Sequence, residues 1–253
     1  MVAREGPLTR AFVRLIDTLV ADYDTMDLCQ QLVDDCVELL SASAAGLLLS
    51  DSTSLRVLAA SSEQTRLMEL FQLQADAGPC LDAYRTGTRI VVDDLTEQAS
   101  RWPVFGHRML AEGFRAVYAV PLRLREQRIG ALNLFCEQPG ALRPADVSVG
   151  QALADVATIG ILHQRVVARQ AIVNEQLQTA LNNRIIIEQA KGVLAERSGL
   201  DTAQAFATLR AYARSTSTRL AVLARAIVEG SFDTTALLRT SAPDGAPQQH
   251  PAG

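Results

Sequence analysis

From residue 144 to residue 198 a helical pattern runs for some fifty residues, and no proline follows Pro144 within it. Pro144 stands where proline is tolerated, because the first-turn N–H groups of a helix have no intrahelical partner. Val156, Ile159, Val166, Val173, Leu177, Ala180 and Ile187 recur at helical steps as a packed stripe, which His163, Gln170 and Arg184 interrupt. One small domain cannot cover a helix of this length. Part of it must bridge two domains or lie against a partner chain. The chain is expected to form two folded parts with a helical connector, and the broken stripe makes the connector a candidate dimer seam.

Before Pro144, short helix and strand patterns alternate. Residues 8–40 read as two helices, with Leu28, Leu32, Val33, Cys36, Leu39 and Leu40 forming an apolar stripe. Residues 44–49 and 55–60 read as strands flanking the polar turn Asp51-Ser52-Thr53-Ser54. Helices are expected over 63–74, 80–85 (closed by Gly87) and 104–111 (stopped by Gly113), with a short strand at 89–92. Strands at 116–124 and 128–135 meet around Arg125-Glu126-Gln127. Hairpin strands among helices indicate an α+β fold, an antiparallel sheet with helices packed on it. After Gly199, Asp201-Thr202-Ala203-Gln204 resembles a capping box and opens a helix carrying Phe206, Leu209 and Ala213. Leu220, Leu223, Ala224 and Ile227 mark a third helix ending at Gly230, and residues 240–253, rich in Pro and Gly, read as a disordered tail.

Composition narrows the function classes. A net charge of -4 argues against a general nucleic-acid coat. The charge is uneven, however: residues 1–169 carry 16 arginines against 21 acids, whereas residues 170–232 carry seven basic residues against five acids. A basic segment behind an acidic body permits local phosphate contact. Cys29, Cys36, Cys80 and Cys136 lack metal-ligand spacing, so no metal site is expected. The first fourteen residues hold no signal-peptide h-region, and no uncharged apolar stretch reaches membrane-spanning length. A cytoplasmic protein without membrane attachment is expected.

Of 24 basic residues, 23 are arginine, and Lys191 is the only lysine. Lysine is a compact point charge and arginine a wide planar fork, so a lone lysine marks a place where the fork does not serve. Arg184 and Lys191, seven apart, share a helix face with Glu188 between them. The plain alternative is a solvated face with a weak Glu188–Lys191 pair. Gly192 costs about 1 kcal/mol relative to alanine inside a helix, which the close approach of RNA or a neighbouring helix would explain. The run Arg184-Ile185-Ile186-Ile187-Glu188-Gln189-Ala190-Lys191-Gly192-Val193-Leu194, then Ala205-Phe206, Leu209-Arg210 and Ala213, then Leu220 and Ala224, resembles the ANTAR family of RNA-binding antitermination modules. The resemblance implies a dimeric all-α three-helix module over 184–232 that binds paired short RNA hairpins in nascent transcripts. It places RNA contacts at Arg184, Gln189, Lys191, Gly192, Arg210, Arg214, Ser217 and Arg219. Ser217 stands where the family often has asparagine, Arg219 where it often has lysine, and Ala195 where methionine is common.

Residues 9–165 resemble a GAF domain, through the run from Gly78-Pro79-Cys80 to Gly87, then Trp102-Pro103, Val120-Pro121-Leu122 and Ile129-Gly130-Ala131-Leu132-Asn133-Leu134. That implies a sensor whose cavity takes an unknown small molecule or only mediates contacts, with no assigned cofactor; residues 166–183 would be the helical, coiled-coil-like connector. Cys80, just after Gly-Pro, is a candidate redox residue if the helix dipole lowers its pKa, with ordinary burial the alternative. Trp102 is a candidate cavity lid or packing residue. His107 reads as structural, and Asp93-Asp94 lacks the context of a phosphoacceptor. The expected function is a non-enzymatic, signal-responsive antitermination regulator. The rivals are a DNA-binding or protein-interaction regulator and a GAF-type methionine-sulfoxide reductase.

Overall fold

The computed structural model describes residues 2–17, 23–51, 54–98 and 100–240. Ser52 and Thr53 of the expected turn, and the expected disordered tail past Thr240, lie outside the described residues. Two compact units divide the chain, Met1–Ala168 and Arg169–Gly253.

The first unit runs α1 (Val2–Asp17), α2 (Thr25–Leu40), β1 (Ala44–Ser50), β2 (Leu55–Ala60), α3 (Glu63–Ala75) and α4 (Pro79–Thr86). It continues with β3 (Ile90–Val92), α5 (Leu95–Gln98), α6 (Pro103–Ala111), β4 (Ala116–Leu124), β5 (Gln127–Cys136) and the start of α7 (Pro144–Ser198). The five strands form one antiparallel sheet in the order β2-β1-β5-β4-β3. Because side chains alternate along a strand, β1, β2, β4 and β5 feed two cores, while β3 feeds one and leaves Val91 exposed. Leu47 and Leu49, Tyr118, Val120 and Leu122, and Leu132 and Leu134 face α1, α2 and α7. Leu48, Val117 and Ala119, and Ala131 and Phe135 face α3, α4 and α6. Apolar residues on both faces explain why β4 and β5 read as nearly continuous apolar runs.

Local chemistry sets the element ends. Asp24 and Ser62 cap α2 and α3, accepting from the backbone N–H of Met26 (2.8 Å) and Thr65 (3.1 Å). Gly87 closes α4 in the left-handed region, at φ 69°. Two short helices escaped the sequence reading, α5 here and α10 in the second unit. Each hangs on a local aspartate: Asp94 accepts from Thr96 N–H (2.9 Å) and Asp233 from Thr235 N–H (2.9 Å).

The second unit holds the end of α7, α8 (Thr202–Ser215), α9 (Leu220–Val228) and α10 (Thr235–Thr240). Ala190 and Leu194 of α7 pack with Ala205, Leu209 and Ala213 of α8 and Leu223, Ala224 and Ile227 of α9. The capping box forms in full: Asp201 Oδ1 accepts from Gln204 N–H (2.7 Å), and Gln204 Oε1 from Asp201 N–H (3.0 Å). Leu237 of α10 is fully buried in the same core, a burial that contributes about 2 kcal/mol for a leucine.

The connecting stretch of α7 leaves its apolar residues uncovered within the chain. Val166, Val173 and Leu177 of the packed stripe are exposed, as are Ile172, Leu181 and Ile185. Apolar periodicity identifies a face that seeks cover but not the surface that supplies it. One 18-residue window of α7 is long and apolar enough to cross a membrane by composition, and half of it is buried inside the fold.

Candidate functional site

On the second unit, Arg184, Gln189 and Gly192 on α7, Arg210 and Arg214 on α8, and Ser217 and Arg219 in the following turn are all exposed. Among the described residues, none of these four arginines is held in an ion pair. Arg184 and Lys191 share one face of α7, and Arg210 and Arg214 one face of α8. Arg214, Ser217 and Arg219 gather around the α8–α9 turn, where Arg219 is the N-cap of α9.

Lys191 differs from them. Its Nζ is 2.7 Å from Glu188 Oε2 and 5.5 Å from the centre of the Phe206 ring, and its side chain is only 19% exposed. The lone lysine therefore tethers α7 to α8 as well as presenting charge. Gly192 meets nothing within 4 Å of where a Cβ would stand. It lies about 200° around the helix from both buried Ala190 and buried Leu194, so it points away from the module's core. Ser217 adopts φ 52°. The asparagine common at this position in the family tolerates such a backbone better than serine does, so Ser217 has a conformational role beside any contact with RNA.

In the first unit the structure brings together residues the sequence reading did not connect. Glu69 of α3 is fully buried. Its Oε1 accepts from Asn133 Nδ2 (2.8 Å) and its Oε2 from Gln72 Nε2 (2.9 Å), while Gln72 Oε1 accepts from the Cys80 backbone N–H (3.2 Å). The strand glycine Gly46, opposite Asn133 in the register, makes room, because a Cβ there would stand 2.7 Å from Glu69 Cγ. Burial pushes the Glu69 carboxyl up to about 8, against the lowering by the Asn133 hydrogen bond. Asn133 Oδ1 is buried without a hydrogen-bond partner. The signal available in the sequence was a lone asparagine in the apolar strand β5.

Cys80 is fully buried beside this cluster, and burial, followed by the Glu69 charge, pushes its thiol well above the ordinary value. Cys80 is thus an ordinary buried cysteine, and the start of α4 does not make it a redox residue. All four cysteines are free and buried. Burial pushes Cys29 up to about 12, Cys136 up to about 11 and Cys36 higher still, so none presents the thiolate that redox chemistry uses. Trp102 is buried, donates from Nε1 to Asp82 Oδ2 (3.2 Å) and carries the Arg101 guanidinium 4.4 Å above its ring. It packs in the α3–α6 core.

The acidic pair is committed to structure. Asp93 accepts from the Tyr118 hydroxyl (2.9 Å), and Asp94 from Arg115 Nη2 (2.8 Å) and Thr96. These donors, Arg115 first, hold the Asp94 carboxyl down at about 2. His107 is exposed and bonds its own helix at the Pro103 carbonyl.

A two-sided antiparallel sheet domain, followed by a helical module whose arginines are in no ion pair among the described residues, defines a two-domain protein. The family profile of the GAF domain matches residues 23–162, and that of the ANTAR domain matches residues 175–228. The chain belongs to the GAF domain family and carries a C-terminal ANTAR domain, which makes it a signal-sensing ANTAR regulator. Solved structures share the fold of the first unit. The GAF domain of the Acinetobacter phosphoenolpyruvate-protein phosphotransferase is 14% identical, over 63% of this chain and 95% of that one, with a TM-score of 0.51. The GAF domain of a phosphoenolpyruvate-protein phosphotransferase from Coxiella burnetii is 15% identical, over 64% and 96%, with a TM-score of 0.50. Free methionine-R-sulfoxide reductase from Neisseria meningitidis is 17% identical, over 63% and 91%, with a TM-score of 0.51. No curated protein matches the chain by sequence.

Proposed function

We propose that the chain is a cytoplasmic transcription antitermination regulator. The GAF domain receives a signal, and two ANTAR domains, paired through α7, hold a pair of short RNA hairpins in a nascent transcript and disfavour a terminator. The observation that carries this reading is the set of exposed arginines, Arg184, Arg210, Arg214 and Arg219, in no ion pair among the described residues, on the domain that the ANTAR profile matches. ANTAR domains are RNA-binding modules, which supports RNA as the partner. Guanidinium groups suit both phosphates and the unstacked bases of hairpin loops.

Pairing through α7 is supported by its exposed Val166, Val173, Leu177, Leu181 and Ile185. Gly192, seven residues past Ile185 on the same outer side, would let a second helix approach closely. The test is binding of a two-hairpin RNA, with duplex DNA as competitor, across a salt series. Arg210→Gln and Arg214→Gln should each weaken RNA binding and reduce the salt slope by about one. Equal affinity for duplex DNA, or salt slopes unmoved by either substitution, would refute the reading and favour a DNA-binding or protein-interaction regulator.

A further inference from the structure

A groove of about 710 Å³ opens on the α7 side of the GAF sheet, between the end of β4, the loop after α4 and the first turns of α7. Its size falls in the range of small-ligand sites, about 300–1,000 Å³. Arg89, Arg123 and Arg125 line it. All three are exposed, and among the described residues none is held in an ion pair. Elsewhere in this acidic unit Arg101, Arg115 and Arg143 are paired with aspartates, while Arg66 and Arg128, like the groove arginines, are in no ion pair among the described residues.

Backbone geometry holds the basic rim in place. Arg125 sits in the β4–β5 turn at φ 54°, a region where glycine or asparagine rests without strain and arginine does not. Arg123 Nη1 donates to the Arg125 carbonyl (3.1 Å) and braces the turn. The two-residue turn between the paired Leu124 and Gln127 calls for the left-handed backbone, but not for an arginine to adopt it. The lining also has an apolar part: Ile159 and Leu124 are 44% and 43% exposed. The groove's own carboxylate, Asp155, accepts from Gln151 Nε2 (2.9 Å). Three cations against one anion leave a positive site with an apolar wall and one fixed acceptor.

We propose that this groove binds a phosphate-bearing small molecule of nucleotide size. The arginines take its phosphates, the apolar wall its ring, and Asp155 a hydroxyl or ring N–H. Guanidinium forks bind phosphate oxygens in pairs, and the ligand would lie directly on α7, the helix that continues into the ANTAR domain. Binding here does not depend on the RNA reading, so the two can fail separately.

The test titrates the full chain with fluorescent N-methylanthraniloyl derivatives of ADP and GDP, with inorganic pyrophosphate as competitor. The expected result is saturable binding of at least one nucleotide, displaced by pyrophosphate and weakened tenfold or more by Arg123→Gln. Arg125→Gly separates ligand contact from folding. It relieves the strained turn and should raise the melting temperature read by Trp102 fluorescence while weakening binding. No saturable binding, or binding unchanged in both variants, overturns the proposal. So does the case in which hairpin RNA, and no nucleotide, is lost with these arginines.

Discussion

Replacing the buried carboxyl of the GAF core, Glu69→Gln, should change how stability depends on pH. The Glu69 carboxyl is pushed from 4.5 to about 8 by burial. Below pH 4.5 both folded and unfolded chains hold the proton, and the site carries no pH-dependent cost. As pH rises the unfolded chain loses its proton while the folded chain keeps it until about pH 8. Stability therefore falls across that window by about 1.4 kcal/mol per pH unit and levels off above it. Glutamine keeps the shape and does not titrate. A neutral side chain here also has a proton to donate, and a 180° turn of the Asn133 amide would present the unpartnered Oδ1 as its acceptor. Urea unfolding followed by Trp102, the single tryptophan and a member of the same core, reads this unit directly. Between pH 5 and pH 7 the parent chain should lose about 3 kcal/mol relative to Glu69→Gln at equal m values. Stability curves that stay parallel across that range would refute the reasoning.

Gly46→Ala should destabilise the same unit by about 1–3 kcal/mol, since its Cβ drives into the Glu69 side chain; urea midpoints measure it. Asp201→Ala removes the α8 capping box and should cost about 1 kcal/mol in the melting of the ANTAR domain, followed by circular dichroism. Ser217→Asn should stabilise that domain by a few tenths of a kcal/mol through its left-handed backbone, read as a higher melting temperature. Gly192→Ala should favour the isolated helix by about 1 kcal/mol yet weaken self-association in sedimentation equilibrium; an unaltered dimer constant would remove the close-approach explanation for this glycine.

The contrast between what was legible and what was not follows the range of each force. The ends of α3 and α7 and the start of α8 were readable because caps and glycine stops act within four residues, whereas the break between α1 and α2 was not. The Glu69–Gln72–Asn133 cluster was not, because polar residues three apart on a helix look like a solvated face until the sheet is laid against them. Cys80 shows the two scales in competition. A helix start favours a thiolate by at most about 2 kcal/mol, whereas full burial raises a pKa by up to about 3–5 units at roughly 1.4 kcal/mol each. Burial wins, and the thiol rises. Lys191 stood out in the sequence by composition and by its place in the ANTAR-like run, and the structure adds a packing reason for it. Its Nζ sits between the Glu188 carboxylate and the Phe206 ring, partly screened from water. An ammonium fits such a corner as a point charge, while a guanidinium must lay a flat fork against both partners at once. Lys191→Arg should therefore loosen the α7–α8 contact even though it conserves charge. A drop in the melting temperature of the ANTAR domain larger than any loss of hairpin affinity would identify the tether as the reason lysine stands at this position.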